Sequence, residues 1–210
     1  MLSAETISIY WSMHNLMRLK DTASSMLISN PHFGDIQESI ERRLIAIIQN
    51  DLLITPTSSL AIYSVFSNAA MIHCYGFMRD LALSLPWFNR LSRRIRSTLT
   101  HPEVHLSVLK VQYPEMLLWV LMMGGIGGAV AERVWFGGEV ADFGMKLGVH
   151  GGNEIALMLG DFLWSKLYRS PATIMFWNEV AKRQGFEDAY GVRKPGEGVE
   201  LAIFNVLPIG

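Results

Sequence analysis

At 210 residues and 23.6 kDa the chain is sized for one large domain. Half its residues are apolar, 18% are charged, and eighteen Lys and Arg against nineteen Asp and Glu leave a net charge of −1, which excludes disorder and disfavours a phosphate-neutralising nucleic-acid reader. Cys74 is the only cysteine, so the chain holds no disulfide framework and no multi-cysteine zinc or iron–sulfur site, and it fits a reducing compartment.

The N-terminus, MLSAETISIYWSMHNL, lacks the basic region and long apolar run of a secretory signal. Ser3 reads as the N-cap of a first helix whose face carries Ile7, Tyr10, Trp11, His14 and Met17. Residues 21–34 (DTASSMLISNPHFG) are rich in turn formers and predict a loop. Ile36, Ile40, Leu44 and Ile47 then recur at helical spacing, with Glu38, Glu41, Arg42 and Arg43 on the wet side.

TPTSS (55–59) breaks the chain, and Leu60 to Leu85 carries only Arg79 and Asp80 as charges, the pattern of a helix with neighbours on several sides. Pro86 is expected to end or kink it. Phe88, Leu91, Ile95 and Leu99 restart the period, with Arg90, Arg93, Arg94 and Arg96 turned outward, and His101-Pro102 starts it again.

Tyr113-Pro114 opens the most apolar helix, whose uncharged run Met116–Ala131 falls short of the roughly 20 residues a membrane span needs. Phe136, Val140, Phe143 and Leu147 form the next stripe. A turn at Gly148, Gly151 and Gly152 leads to Asn153 as N-cap of a helix marked by Ile155, Leu159, Phe162 and Leu163. Pro171 opens a last helix with Ile174, Trp177 and Ala181, and residues 185–210 form a tail whose apolar end, LAIFNVLPIG, suits docking as an extended segment. No period-two alternation and no internal repeat stand out, so the reading is an all-α, single-domain multi-helix array over 1–210.

Few residues form a recognisable chemical constellation. The glycines of MGGIGGAV lack the Lys-Ser or Lys-Thr pair of a Walker loop, and Val130 stands where a dinucleotide fingerprint needs a small residue. Close helix packing at Gly124 and Gly128 is the better account. His101 and His105 share a helical face but offer only two of the three or four ligands a metal needs. His73 and Cys74 are adjacent and therefore diverge on a helix, and Asp161, Glu154, Glu132 and Glu139 form no recognisable acid–base pair. No catalytic residue, cofactor or metal is assigned. The arginines 90, 93, 94 and 96 form the one basic cluster, a solvated face by default and a surface for an acidic partner otherwise. The six tryptophans, ten phenylalanines and twelve methionines also permit a ligand cavity.

YPEMLLWVLMMGGIGGAVAERVWF (113–136) resembles the signature of the fungal-specific transcription-factor domain, the helical regulatory region that follows a zinc-cluster DNA reader. The likeness rests on Pro114 and Glu115, Leu117 to Trp119, Gly124 and Gly125, Glu132 and Arg133, and Trp135 and Phe136. DFLWSKLYRSPATIMFWNEV (161–180) is similar to the family's closing segment through Phe162, Leu163, Trp164, Trp177, Glu179 and Val180. ERRLIAII (41–48), FMRDLALSLP (77–86) and RLSRRIRSTL (90–99) look like its upstream helices, so the resemblance spans about 40–182. Gly151, Gly152 and Asn153 stand where the family often has a tryptophan, and the six-cysteine cluster is absent.

The resemblance implies a non-catalytic helical regulatory module in the fungal nucleus, or alternatively the cytoplasm. It would work through protein partners, self-association or a small-molecule effector, with no direct nucleic-acid binding and no membrane. Trp119, Trp135, Trp164 and Trp177 would anchor core or interface, and Gly124 and Gly125 would be points of close approach. The chain is either the regulatory part of a longer regulator or a free-standing relative; a capped helix directly after Met1 points to a complete chain and to the second. A free-standing small-molecule binder or an enzyme of fungal specialised metabolism is the alternative on the same scaffold.

Overall fold

A computed structural model describes residues 3–22, 31–51, 58–149, 151–160, 162–165, 168 and 170–186, and the fold is all-α. Nine α-helices follow one another among the described residues: α1 (Ala4–Thr22), α2 (Pro31–Asp51), α3 (Ser58–His73), α4 (Pro86–Leu99), α5 (Leu106–Gln112), α6 (Pro114–Gly127), α7 (Val130–Lys146), α8 (Gly151–Met158) and α9 (Pro171–Arg183). The final stretch, LAIFNVLPIG, lies outside the described residues, as do Asp161 and the Thr55–Thr57 part of TPTSS.

The composition of α6 dictates its place. Pro114 occupies the first turn, where a missing N–H costs nothing, and every residue from Met116 to Gly127 is buried. A helix apolar on all sides needs neighbours all round, and α6 packs against α3, α4, α5, α7 and α9. Each fully buried leucine here (Leu117, Leu118, Leu121) gains about 1.5–3 kcal/mol over an exposed one. Gly124 and Gly125 set how near its neighbours come. A Cβ on Gly124 would lie 2.5 Å from the Phe136 ring of α7, and one on Gly125 would overlap the Phe176 ring of α9. Ser92 of α4 donates to the Gly124 carbonyl at 2.6 Å, so three helices meet at the glycine pair.

Several expectations from periodicity are corrected. In α1 the buried stripe is Thr6, Ile9, Met13, Leu16, Met17 and Lys20, while Ile7 and Trp11 face outward. Two helical stripes overlap in this helix, and the one that wins ends in a lysine. Ser3 does cap it, its Oγ accepting from the Thr6 N–H at 3.1 Å. The expected loop at 21–34 is helical at both ends, through Thr22 and again from Pro31, because Pro31 suits a helix start.

Glu41 is buried, not wet. Arg79 grips it with Nε to Oε1 at 2.6 Å and Nη2 to Oε2 at 3.0 Å, and Gln37 donates to Oε1 at 3.2 Å. A carboxylate so paired can leave water.

The helix expected to run to Pro86 stops sooner. α3 passes into a π-helical turn, Cys74–Met78, and Asp80 at φ 55° turns the chain. Lys20 supplies the cap: Nζ donates to the carbonyls of Phe77 (2.7 Å) and Met78 (2.8 Å) and to Asp80 Oδ2 (2.9 Å). A cation on terminal carbonyls is favoured by the helix dipole. Pro86 instead opens α4.

His101-Pro102 forms a turn, in which the Glu103 N–H donates to His101 Nδ1 at 3.3 Å, and α5 starts only at Leu106. α8 starts at Gly151, ahead of Asn153, and ends at Met158, so Leu159, Phe162 and Leu163 lie beyond it. In α9 the inward residues are Thr173, Phe176, Trp177, Val180 and Ala181, whereas Ile174 faces out.

Candidate functional site

Two places concentrate polar chemistry on this frame: a sealed aromatic–polar hub and a basic face. The hub lies where α3 ends against α6 and the segment before α9. His73 Nδ1 and Tyr168 Oη are 2.7 Å apart; Tyr168 also donates to the Leu163 carbonyl (3.1 Å) and accepts from Trp119 Nε1 (3.2 Å). His73 is wholly buried among Phe77, Trp119 and Tyr168, and its Nε2 has no partner among the described residues.

Burial, with the Lys20 charge as a second cause, lowers the His73 pKa from 6.5 to about 3, so the ring is neutral at physiological pH. Burial likewise raises the neighbouring Cys74 thiol and the Tyr168 phenol well above their usual ranges. A protonated thiol inside apolar surroundings is a poor nucleophile. The hub locks helices together; its groups are withdrawn from solvent and from reaction.

The basic face is built by α4, α7 and α9. α4 joins α7 by contacts at successive turns. Asn89 accepts from the Ala129 N–H at 2.8 Å, Arg93 bonds Glu132 at 3.0 Å, and the Arg96 guanidinium stands 5.6 Å above the Trp135 ring. From the other flank, Arg183 of α9 lies across α7: Nη2 donates to the Val134 carbonyl at 3.0 Å, and its guanidinium rests 3.2 Å from where a Cβ of Gly138 would be. Gly138 eases that approach, since a side chain there would crowd the guanidinium. Arg133 pairs with Glu179 at 2.9 Å.

The first turns of α7 leave Val130, Ala131 and Val134 exposed, Val130 at 67% and Val134 at 50%.

The four arginines singled out by sequence thus divide. Arg90 and Arg93 are exposed, whereas Arg94 turns back to the Ile48 carbonyl (3.3 Å) and Arg96 is held over Trp135. The tryptophans divide too. Trp119 is fully buried and Trp177 nearly so; Trp135 and Trp164 are half-buried, Trp164 meeting Tyr168 and Trp177. His101 and His105 sit in a turn and at a helix start, and no group of three metal-ligating side chains occurs among the described residues. Of the acidic residues, Glu132 and Glu139 are taken by Arg93 and Lys110.

Sequence reasoning missed Arg183, Val134 and Gly138. The available signal was the Gly-Gly after Trp135-Phe136, in a helix where each glycine costs about 1 kcal/mol.

No protein-family model matches the chain, and no curated protein or solved structure matches it. Among the described residues no helix is long and apolar enough to cross a membrane.

Proposed function

We propose that this chain is a non-catalytic regulatory module of the kind the fungal-specific transcription-factor domain exemplifies, acting in the nucleus through protein contacts, self-association or a bound effector. The observation that carries the reading is the basic face of α4, α7 and α9, a charged and apolar surface presented by rigid helices. The sealed hub supports it, because the described histidine–tyrosine–cysteine chemistry serves packing and is kept neutral. The motif order of residues 113–136 and 161–180 supports the family likeness.

The test is to tether the chain to an unrelated DNA-binding domain upstream of a reporter. A change in output relative to that domain alone is expected, and unchanged output overturns the reading. For the effector arm, thermal unfolding is followed with candidate metabolites at millimolar excess. A ligand that prefers the folded state raises Tm by mass action, and no shift with any compound removes that arm.

A further inference from the structure

α1 buries one side and leaves the opposite side open. Thr6, Ile9, Met13, Leu16, Met17 and Lys20 face the body of the protein. On the far side Ala4, Ser8, Trp11, Asn15 and Leu19 follow one another at steps of three or four residues, and all five are exposed. Such steps keep side chains on one helix face, so the five form a continuous strip about 22 Å long.

Trp11 is the anchor of this strip. Its ring stands edge-on to Tyr10 (5.1 Å between centroids) and His14 (5.7 Å), and Tyr10 in turn meets Phe162 at 5.0 Å. The indole is braced by these neighbours while 54% of the residue stays exposed. An aromatic side chain already held in place loses little freedom on contact, which suits it to be a binding hot spot. The strip carries no charge of its own. Lys20 turns inward, Asp21 accepts from Ser165 at 2.8 Å, and Glu5 bonds Arg43 of α2 at 2.6 Å on one flank. A charge-free centre built round a tryptophan is the composition of an interface core.

The order of residues along the strip selects the occupant. From either end it runs apolar, polar, aromatic, polar, apolar. A second α1 laid antiparallel sets Ala4 against Leu19, Ser8 against Asn15 and the two indoles side by side. A two-fold contact demands this self-complementarity, in which residue i meets j and j meets i. A parallel copy would match the same types but would put Arg18 on Arg18 and align the helix dipoles. A bilayer finds little to hold, because Ser8 and Asn15 lie on the strip and Arg18 is the one outward cation of α1.

We propose that the chain self-associates through α1, packed antiparallel on the α1 of a second copy. A contact one helix long falls below the roughly 1,200 Å² of a stable complex, so the dimer is weak and forms with concentration. This gives a surface to the self-association arm of the regulatory reading and rests on that reading for its purpose.

The experiment follows the full chain by sedimentation velocity from about 1 μM to about 1 mM, the range of weak association. Monomer giving way to dimer is expected. Trp11→Asp should weaken the dimer by about tenfold or more, whereas Val111→Asp, at an 82% exposed site on α5, should leave it unchanged. Mild oxidation of Ser8→Cys with Asn15→Cys should yield a covalent dimer, and either substitution alone far less, because like positions stand about 10 Å apart along an antiparallel pair. Cys74 is buried and does not compete. The cross-linking arm decides the matter should Trp11→Asp fail to fold.

A chain that stays monomeric to about 1 mM overturns the proposal. So does a dimer that Trp11→Asp leaves intact, or one that Ser8→Cys alone cross-links as readily as the pair. Binding of phosphatidylserine vesicles by a chain that stays monomeric overturns it in favour of a lipid contact. A responding tethered reporter beside a monomeric chain removes this dimer and leaves the regulatory reading; a silent reporter beside a dimer does the opposite.

Discussion

His73 couples stability to pH in a way that can be worked out from its surroundings. Folded, its pKa lies near about 3 because burial and then Lys20 disfavour the cation; unfolded, it returns to 6.5. A depressed folded pKa means that the unfolded chain binds the proton first. The neutral ring's contribution is therefore complete above about pH 6.5 and is lost as pH falls from there through the folded value. Each pH unit in that window is worth about 1.4 kcal/mol, so about 3 kcal/mol is gone at about pH 4.5.

Carboxylates also respond to acid, so the signal has to be isolated. In His73→Phe the ring stays among Phe77, Trp119 and Tyr168, and Tyr168 keeps Leu163 and Trp119 as partners. Urea unfolding of wild type and variant is compared by circular dichroism at about pH 7.5 and about pH 4.5, where the carboxylate contributions cancel in the difference. The variant should gain about 3 kcal/mol on wild type across that interval. A gap between the two proteins that stays constant to within about 0.5 kcal/mol would refute the argument, and with it the placement of a neutral imidazole in the hub.

Three further outcomes follow from the same packing. Lys20→Met strips the cation from the Phe77 and Met78 carbonyls and should cost about 2–3 kcal/mol by urea titration, while a histidine NMR titration shows His73 protonating at higher pH once the Lys20 charge is gone. Gly125→Ala drives a methyl into the buried Phe176 ring and should cost about 3 kcal/mol, against a gain of up to about 1 kcal/mol for Gly34→Ala, where a Cβ meets nothing within 4 Å; similar values for the two would dismiss the close approach. Trp119→Ala should cost about 3–5 kcal/mol and Trp11→Ala less than about 0.5, measured as shifts in denaturation midpoint; a costly Trp11→Ala would mean that its outer face is already covered in solution.

What could be read from the sequence depended on whether a residue's role was local. The proline starts at Pro114 and Pro171 and the Ser3 cap follow from nearest neighbours, and the structure has them; of the uncharged run Met116–Ala131, read as one buried helix, Met116–Gly127 is buried in α6, whereas the chain breaks at Gly128 and Ala129, Val130 and Ala131 are exposed as α7 begins. Gly124 and Gly125 could be read as close-approach points because glycine in a helix must be compensated by packing, although the rings of Phe136 and Phe176 that use the space could not be named.

Where the reading failed, a charge met a distant partner. Glu41 looked wet because Arg79 lies 38 residues away, and Lys20 drew no notice because its carbonyl acceptors lie 57 and 58 residues on. Periodicity scores such a residue by its type, whereas burial is decided by whether its hydrogen bonds are met.

The same blindness explains the basic face. A run of four arginines in α4 reads as one patch, yet α7 and α2 claim Arg96 and Arg94 by geometry that no spacing within α4 encodes, and a further arginine, Arg183, reaches α7 from the far end of the described chain. A surface assembled from three helices is invisible to any window that sees one. Its local trace is the helix cost of Gly138 in α7, where a Cβ would stand 3.2 Å from the Arg183 guanidinium.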